Sequence, residues 1–302
     1  MNPAQILRKA QQQKTLIPAF NIPYLPMLEA VAKAIVDENS IGMIMVARLE
    51  WKKFKSKSLE AVAEEYFKYY NEAHMMLHLD HVPVIDEDLE KVDYMPYFQR
   101  AADAGYQSIM IDGSRLPLDD NIKVTRQAAE FAHKHNMACE AELGAVAGHE
   151  NSAISLDYEE LFRTRWGFTK LDEARRFARE SEADWLSVAA GSIHGAIAEN
   201  VRKQKKPEAR LDIQHIADLR EATGGMPLVL HGGSGIKQEY ILKAAENGIA
   251  KINIGTEIRQ AYEFSMDERK DEDFAKEAVY RKTRQIIRDF LQISNLRDRL
   301  ID

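Results

Sequence analysis

Cysteine is nearly missing: Cys139 is the only one in 302 residues, so no intrachain disulfide framework holds the fold, and a reducing compartment suits the chain. Long apolar runs are missing as well, and none approaches the length of a membrane span. Positive charge is in deficit, with 41 Lys and Arg against 48 Asp and Glu and a formal net charge of -7. That balance argues against nucleic acid or an anionic membrane as a general partner, although it leaves room for a local anion pocket. The opening stretch, Met1 to Gln13, carries Arg8 and Lys9 but lacks the apolar centre of a secretory signal. A cytoplasmic protein with no membrane and no nucleic-acid partner is the expectation.

What is present is an ordinary apolar content of 45%, enough for a large core, arranged in short apolar runs that alternate with longer amphipathic ones. This is the pattern of parallel strands covered by helices. Strands are expected near Leu16–Phe20, Gly42–Ala47, His74–Asp80, Ser108–Asp112, Met137–Leu143, Asp184–Ala190, Pro227–His231 and Ala250–Ile254. Helical periods lie between them, with glycine turn signals after Ala104, Thr223 and Asn247. Eight such units read as a single α/β domain over residues 1–302, a (β/α)8 TIM barrel with additional C-terminal helices. The charged helical stretch from Glu257 to Leu296 is expected to lie against the barrel or across a subunit boundary. Two connections, Val82–Met95 and Gly144–Trp166, are too long for plain barrel loops and read as lids or interface pieces at the mouth.

The run from His74 to His81 ends by presenting His78, Asp80 and His81 within four positions. On a strand His78 and Asp80 share a face, whereas His81 joins them only if the backbone turns, which Val82 and Pro83 are expected to provide. A solvated aspartate with two incidental histidines is the plainer reading, so the other strand ends must decide. Their last inward positions are Asn21, Asp112, Glu142, His194, His231 and Asn253; the second strand is the exception, ending in Arg48, Leu49 and Glu50. Three imidazoles from separate strands, His81, His194 and His231, describe a catalytic zinc with an open position, and other divalent transition metals suit the same set. Asp112 and Glu142 either form a second metal position or orient the imidazoles.

Gly232, Gly233, Ser234 and Gly235 follow His231 and have the makings of an anion cradle, where backbone approaches a phosphate closely. Its expected partner is the stretch from Lys251 to Thr256, with Asn253 facing inward and Thr256 capping the next helix. Asp80 stands beside a metal ligand, where it can exchange a proton with a hydroxyl oxygen. Glu150, on the glycine-bearing loop after the fifth strand, reads either as a mobile acid/base or as a solvated loop glutamate.

These runs resemble the class II, metal-dependent ketose-bisphosphate aldolases, which include the fructose- and tagatose-bisphosphate enzymes. The matching segments are Ala19–Asn21, His78–His81, Met110–Ser114, Glu140–Gly144, Gly191–Gly195, Leu230–Gly235 and Lys251–Asn253, in the family's order along nearly the whole chain. The resemblance implies reversible cleavage of a ketose 1-phosphate, a 1,6-bisphosphate or a related sugar-acid phosphate to dihydroxyacetone phosphate and an aldehyde, through a zinc-stabilised enediolate. It implies His81, His194 and His231 as zinc ligands, Asp112 and Glu142 at a secondary metal position, and Asp80, Glu150 and Asn253 as catalytic residues. Asn21, Gly195, Gly232, Gly233, Ser234, Asn253 and Thr256 would hold the substrate, with Na+ or K+ nearby. A phosphorylated sugar substrate and a homo-oligomer, dimer or tetramer, are the expected partners. The departures are Arg48, Glu50, Trp51, Lys52 and Lys53 where the family offers small residues with a serine, Val82 where it has glycine, and the Val82–Met95 insertion. All lie where the aldehyde would enter; Arg48, or Arg281 and Arg284 from the terminal helices, reads either as a partner for a phosphate or sugar-acid carboxylate or, more plainly, as a surface charge. Three rivals remain: a metal-dependent barrel hydrolase, a non-catalytic or regulatory aldolase-like subunit, and a Schiff-base aldolase using Lys251.

Overall fold

Each expected apolar run forms a strand, and the eight strands pair in chain order into a closed parallel barrel. The structure, a computed structural model, describes residues 1–144, 158–192, 209–233 and 235–301. The strands are β1 (Ile17–Asn21), β2 (Gly42–Ala47), β3 (Met75–Pro83), β4 (Ser108–Asp112), β5 (Ala138–Leu143), β6 (Trp185–Val188), β7 (Leu228–Leu230) and β8 (Ile249–Ile254). Helices cover the outside of the closed barrel and side chains fill its interior, so β2, β5, β6, β7 and β8 are buried at every residue. That is why β2 and β7 read as continuous apolar runs, whereas β5 and β8 alternate because their inward positions carry Glu140, Glu142, Lys251 and Asn253.

The helices are α1 (Pro3–Gln12), α2 (Met27–Asp37), α3 (Arg48–Lys53), α4 (Leu59–Tyr69), α5 (Met95–Asp103), α6 (Leu118–Lys134) and α7 (Tyr158–Thr164). They continue with α8 (Leu171–Glu180), α9 (Ile213–Ala222), α10 (Gln238–Glu246), α11 (Thr256–Arg269), α12 (Glu272–Gln285), a π-helical turn at Ile286–Phe290, and α13 (Leu296–Leu300). Local chemistry sets their ends. Ser58 and Asp212 accept from the third backbone N–H of α4 and α9, and Gly105, Gly224 and Gly248 take left-handed φ after α5, α9 and α10. At Gly248, with φ +130°, a Cβ would also come within 3.0 Å of the Arg220 side chain.

Two helices outside the barrel repeat matter for orientation. Helix α1 sits under the amino-terminal end of the strands, where Gln11 Nε2 donates to the carbonyls of Met226 and Gly248, just before β7 and β8. Helix α12 lies on the barrel's own α2: Tyr280 donates to Asp37 at 2.7 Å and Arg284 to Glu38 at 2.6 Å. Glu38 follows α2 and precedes β2, so Arg284 belongs to the amino-terminal side. Arg281 pairs with Glu277 within α12 and is exposed. Neither arginine lies at the mouth, so neither meets an anionic group of a substrate there. Of the long connections, Val84 to Tyr94 is a turn organised by Asp86, whose Oδ1 accepts from Asp88 N at 3.1 Å and Glu90 N at 3.0 Å. The other long connection contains α7.

Candidate active site

The mouth is centred on β3. His78 and Asp80 face inward by the two-residue period, and the pairing with β4 slips between Leu79 and Val82. Within that bulge His81 has φ +35°, a left-handed value uncommon for a residue with a side chain, and its imidazole joins Asp80. The deviation therefore precedes Val82 and Pro83, which continue the strand opposite Ile111 and Asp112 instead of turning it away.

Around His81 stand carboxylates and a second imidazole. His81 Nδ1 lies 3.2 Å from Asp112 Oδ2 and 3.8 Å from Glu142 Oε2, and its ring centroid is 4.6 Å from that of His231. His231 in turn has Nε2 at 2.8 Å from Glu140 Oε1 and Nδ1 at 3.1 Å from Glu142 Oε2. Ligating atoms of Asp80, His81 and His231 all lie within 4.8 Å of one another, as do those of His81, Asp112 and Glu142 and, deeper, those of His78, Asp80 and Glu140. Glu142 Oε2 is buried and makes no hydrogen bond of acceptable geometry among the described residues. A buried carboxylate oxygen left this way is costly unless a cation takes it up. The donor set and this oxygen fit a divalent metal.

The electrostatics agree with that fit. Burial alone would lower the His81 pKa, but Asp80, the Asp112 hydrogen bond and Glu142 raise it to about 10, so the pocket draws positive charge. Burial would raise Asp80, yet His81, Lys251 and His231 hold it below the ordinary carboxyl value. Two amides fix its orientation: Asn253 Nδ2 donates to Oδ1 at 3.1 Å from β8, and Asn21 Nδ2 to Oδ2 at 3.0 Å from β1.

Beneath this layer runs a buried network. Glu140 on β5 accepts from Lys251 Nζ at 2.8 Å and from Trp185 Nε1 at 2.5 Å, in addition to its contact with His231. Lys251 also donates to Asn253 Oδ1 at 2.7 Å. His78 Nδ1 shares a hydrogen bond with Ser108 Oγ at 2.8 Å, and burial, with Lys251 next, lowers its pKa to about 4. Glu140 is two residues before Glu142 on the same strand, so the alternation that singles out one carboxylate also points to the other.

Two residues at the exceptional second strand complete the wall. Glu50, in α3, accepts from Ala47 N at 2.8 Å and from Asn21 Nδ2 at 3.4 Å. Burial pushes its pKa up to about 8, against the Ala47 N–H and with a further push from Asp80. Arg48 is buried on Asp86 Oδ2 at 3.2 Å, with Glu87 at 3.9 Å, so its charge latches α3 to the insertion instead of awaiting an anion.

Across the barrel, Gly232 has φ +69° after β7, as an anion cradle needs. Gly233 is also constrained by packing, since a Cβ there would fall 2.6 Å from Ile252. Thr256 does not cap α11: Gly255 occupies the cap position and Thr256 is the first helical residue. The expected site residues Glu150, His194, Gly195 and Ser234 lie outside the described residues.

A closed parallel barrel whose carboxyl-terminal mouth gathers imidazoles, carboxylates and amides about one aspartate is the architecture of a metal-dependent barrel enzyme. The model of the class-II fructose-bisphosphate aldolase family matches residues 1–295. Among solved structures, the YdjI aldolase from Escherichia coli K12 is 26% identical with a TM-score of 0.74, the match covering 95% of each chain. A Coccidioides immitis protein described as a candidate fructose-1,6-bisphosphate aldolase has 23% identity and a TM-score of 0.77 over 98% of each chain. The fructose-bisphosphate aldolase of Campylobacter jejuni is 17% identical, with a TM-score of 0.71 over 96% of this chain and 94% of that one. The last two show the shared fold. The chain belongs to the class II fructose-bisphosphate aldolase family and is an aldolase, a carbon–carbon lyase. No helix among the described residues is long and apolar enough to cross a membrane.

Proposed function

We propose that the protein catalyses the reversible cleavage of a ketose 1-phosphate, a 1,6-bisphosphate or a related sugar-acid phosphate to dihydroxyacetone phosphate and an aldehyde. The observation that carries this reading is Asp80, held by two amides beside His81 and within ligand distance of His231. His81 and His231, with His194, would hold zinc, and Asp112 and Glu142 would orient the imidazoles or receive the ion in a second position. Zinc bound there supplies Lewis-acid stabilisation of the negative charge that develops on the triose oxygens.

The chain's own residues do the rest. In cleavage Asp80, a carboxylate in the free protein, takes the proton from the hydroxyl that becomes the aldehyde oxygen, and returns it in condensation. Asn21 and Asn253 keep the carboxylate aimed, and Glu150 exchanges the proton on the triose carbon. Gly195, Gly232, Gly233 and Ser234, with Asn253 and Thr256, form the phosphate end. Lys251 is fully buried and tied to Glu140 and Asn253, which is the opposite of an amine open to a substrate carbonyl.

The test is release of dihydroxyacetone phosphate from a panel of phosphorylated ketoses and sugar acids by the zinc-loaded protein. Activity is expected to vanish on chelation and return with zinc. Borohydride with dihydroxyacetone phosphate should leave no adduct, and Asp80→Asn should lower kcat by on the order of 10²-fold. A borohydride adduct on Lys251, or undiminished turnover in Asp80→Asn, overturns the assignment.

A further inference from the structure

Resting on the aldolase reading above, the geometry points to Glu50 as the residue that selects the aldehyde: its carboxyl group hydrogen-bonds the hydroxyl on the carbon next to the aldehyde carbonyl. Cleavage of any of the ketose phosphates named above releases such an α-hydroxy aldehyde, so what is assigned is the side chain that reads this hydroxyl. The placement comes from a single amide. Asn21 Nδ2 reaches Asp80 Oδ2 at 3.0 Å and Glu50 Oε2 at 3.4 Å, so one side chain holds two carboxyl groups side by side. If Asp80 serves the carbonyl oxygen, the neighbouring oxygen of the same small molecule falls next to Glu50.

The topology supports this orientation. In the eightfold order β7, which leads to Gly232 and Gly233, stands across the barrel from β3. A ketose anchored by its phosphate at these glycines therefore directs its aldehyde half toward the β2–β3 wall, where Glu50 and the Arg48 latch are found. The wall offers polarity without free positive charge at its base, because Asp86 and Glu87 already compensate Arg48.

The conformation of Glu50 favours a ligand role in addition to its local one. It is only 9% exposed, and Oε2 takes both the Ala47 N–H, which caps the short helix α3, and the Asn21 amide. Its other oxygen, Oε1, makes no hydrogen bond among the described residues and remains to meet a substrate. A carboxyl group so deeply set discriminates against a molecule that cannot complete its hydrogen bonding.

Two measurements on the zinc-loaded protein decide the matter. The first is solvent deuterium exchange into dihydroxyacetone phosphate with no aldehyde present, which reports the triose half-reaction alone. The second is the ratio of kcat/KM in condensation for glyceraldehyde over 3-hydroxypropanal, which differ by the one hydroxyl in question. We expect exchange, and a ratio on the order of tenfold or more. Glu50→Met, close in volume but unable to hydrogen-bond, should bring the ratio to about two, whereas Glu50→Gln should keep most of it. Because the ratio compares two substrates on one protein, general damage to α3 cancels. Exchange together with a wild-type ratio near unity, or a ratio unchanged in Glu50→Met, removes the role of Glu50 and leaves the aldolase reading standing. If Glu50→Met does not fold, Glu50→Leu takes its place under the same criterion, and a ratio kept at the wild-type value there likewise removes the role of Glu50. Absence of exchange in the wild-type protein removes both readings.

Discussion

Replacement of His231 by alanine is expected to deprive the protein of its divalent metal and to lower aldol cleavage by on the order of 10³-fold or more. The expectation follows from how many partners the imidazole has. His231 is buried, Glu140 fixes one ring nitrogen at 2.8 Å, and the other faces Glu142 at 3.1 Å and shares ligand distance with Asp80 and His81. No adjacent residue of the same segment can take over from it, because β7 ends just before it at Leu230 and two glycines follow. A carboxylate hydrogen-bonded to the far nitrogen of a ligating imidazole fixes its tautomer and raises its basicity, so the loss removes an oriented donor and not simply a nitrogen. Metal analysis of the purified variant after brief exposure to zinc is the check. Stoichiometric zinc in His231→Ala would mean that the ion binds elsewhere, with Asp112 and Glu142 as the first place to look.

How far this centre is legible without coordinates differs from residue to residue. The eight strands and their polar terminal residues follow from the two-residue period and the apolar runs, and Asn21, Asp80, Glu142 and Asn253 all point inward as that period requires. His81 does not follow from it: the period alone turns it away from Asp80, and only the bulge seen in the β3–β4 pairing brings it back. Helix α3 was unreadable because six residues rich in charge, Arg48 to Lys53, show no apolar face, and what holds them is burial of Arg48 on Asp86 across 38 positions. Arg284 shows the reverse failure. Its charge invites an anion, yet its pairing with Glu38 across 246 positions assigns it to the other end of the barrel. Residue type and spacing thus identify candidates for chemistry, while partners far away in the chain decide which of them are already committed.

The second large effect is expected from the commitment of Lys251. Substituting methionine there should destabilise the metal-free protein by about 3–5 kcal/mol, or roughly 5–8 °C in Tm for a chain of this size, although no contact at the surface changes. Glu140 and Lys251 are each fully buried, and Lys251→Met takes from the Glu140 carboxylate its lysine partner in a medium that solvates charge poorly. Burial alone would raise the Glu140 pKa; Lys251 first, then His231 and His78, hold it well below its ordinary 4.5. A depressed folded-state value means that the unfolded chain takes up the proton first. The wild-type contribution is therefore complete above the ordinary carboxyl range and drains away only as pH falls toward the folded value. In Lys251→Met the folded value moves up toward the ordinary one, so this acid-side loss should become smaller. Glu140→Gln tests the other half, with zinc affinity expected to fall about 10–100-fold because His231 loses its anionic partner. Since either single change strands the other group, Glu140→Gln combined with Lys251→Met should recover part of the stability lost in Lys251→Met. Unfolding of the four metal-free proteins by urea measures this coupling. Simple additivity would mean that the pair does not act as a unit, and that His231 is oriented by Trp185-bound Glu140 without help from the lysine.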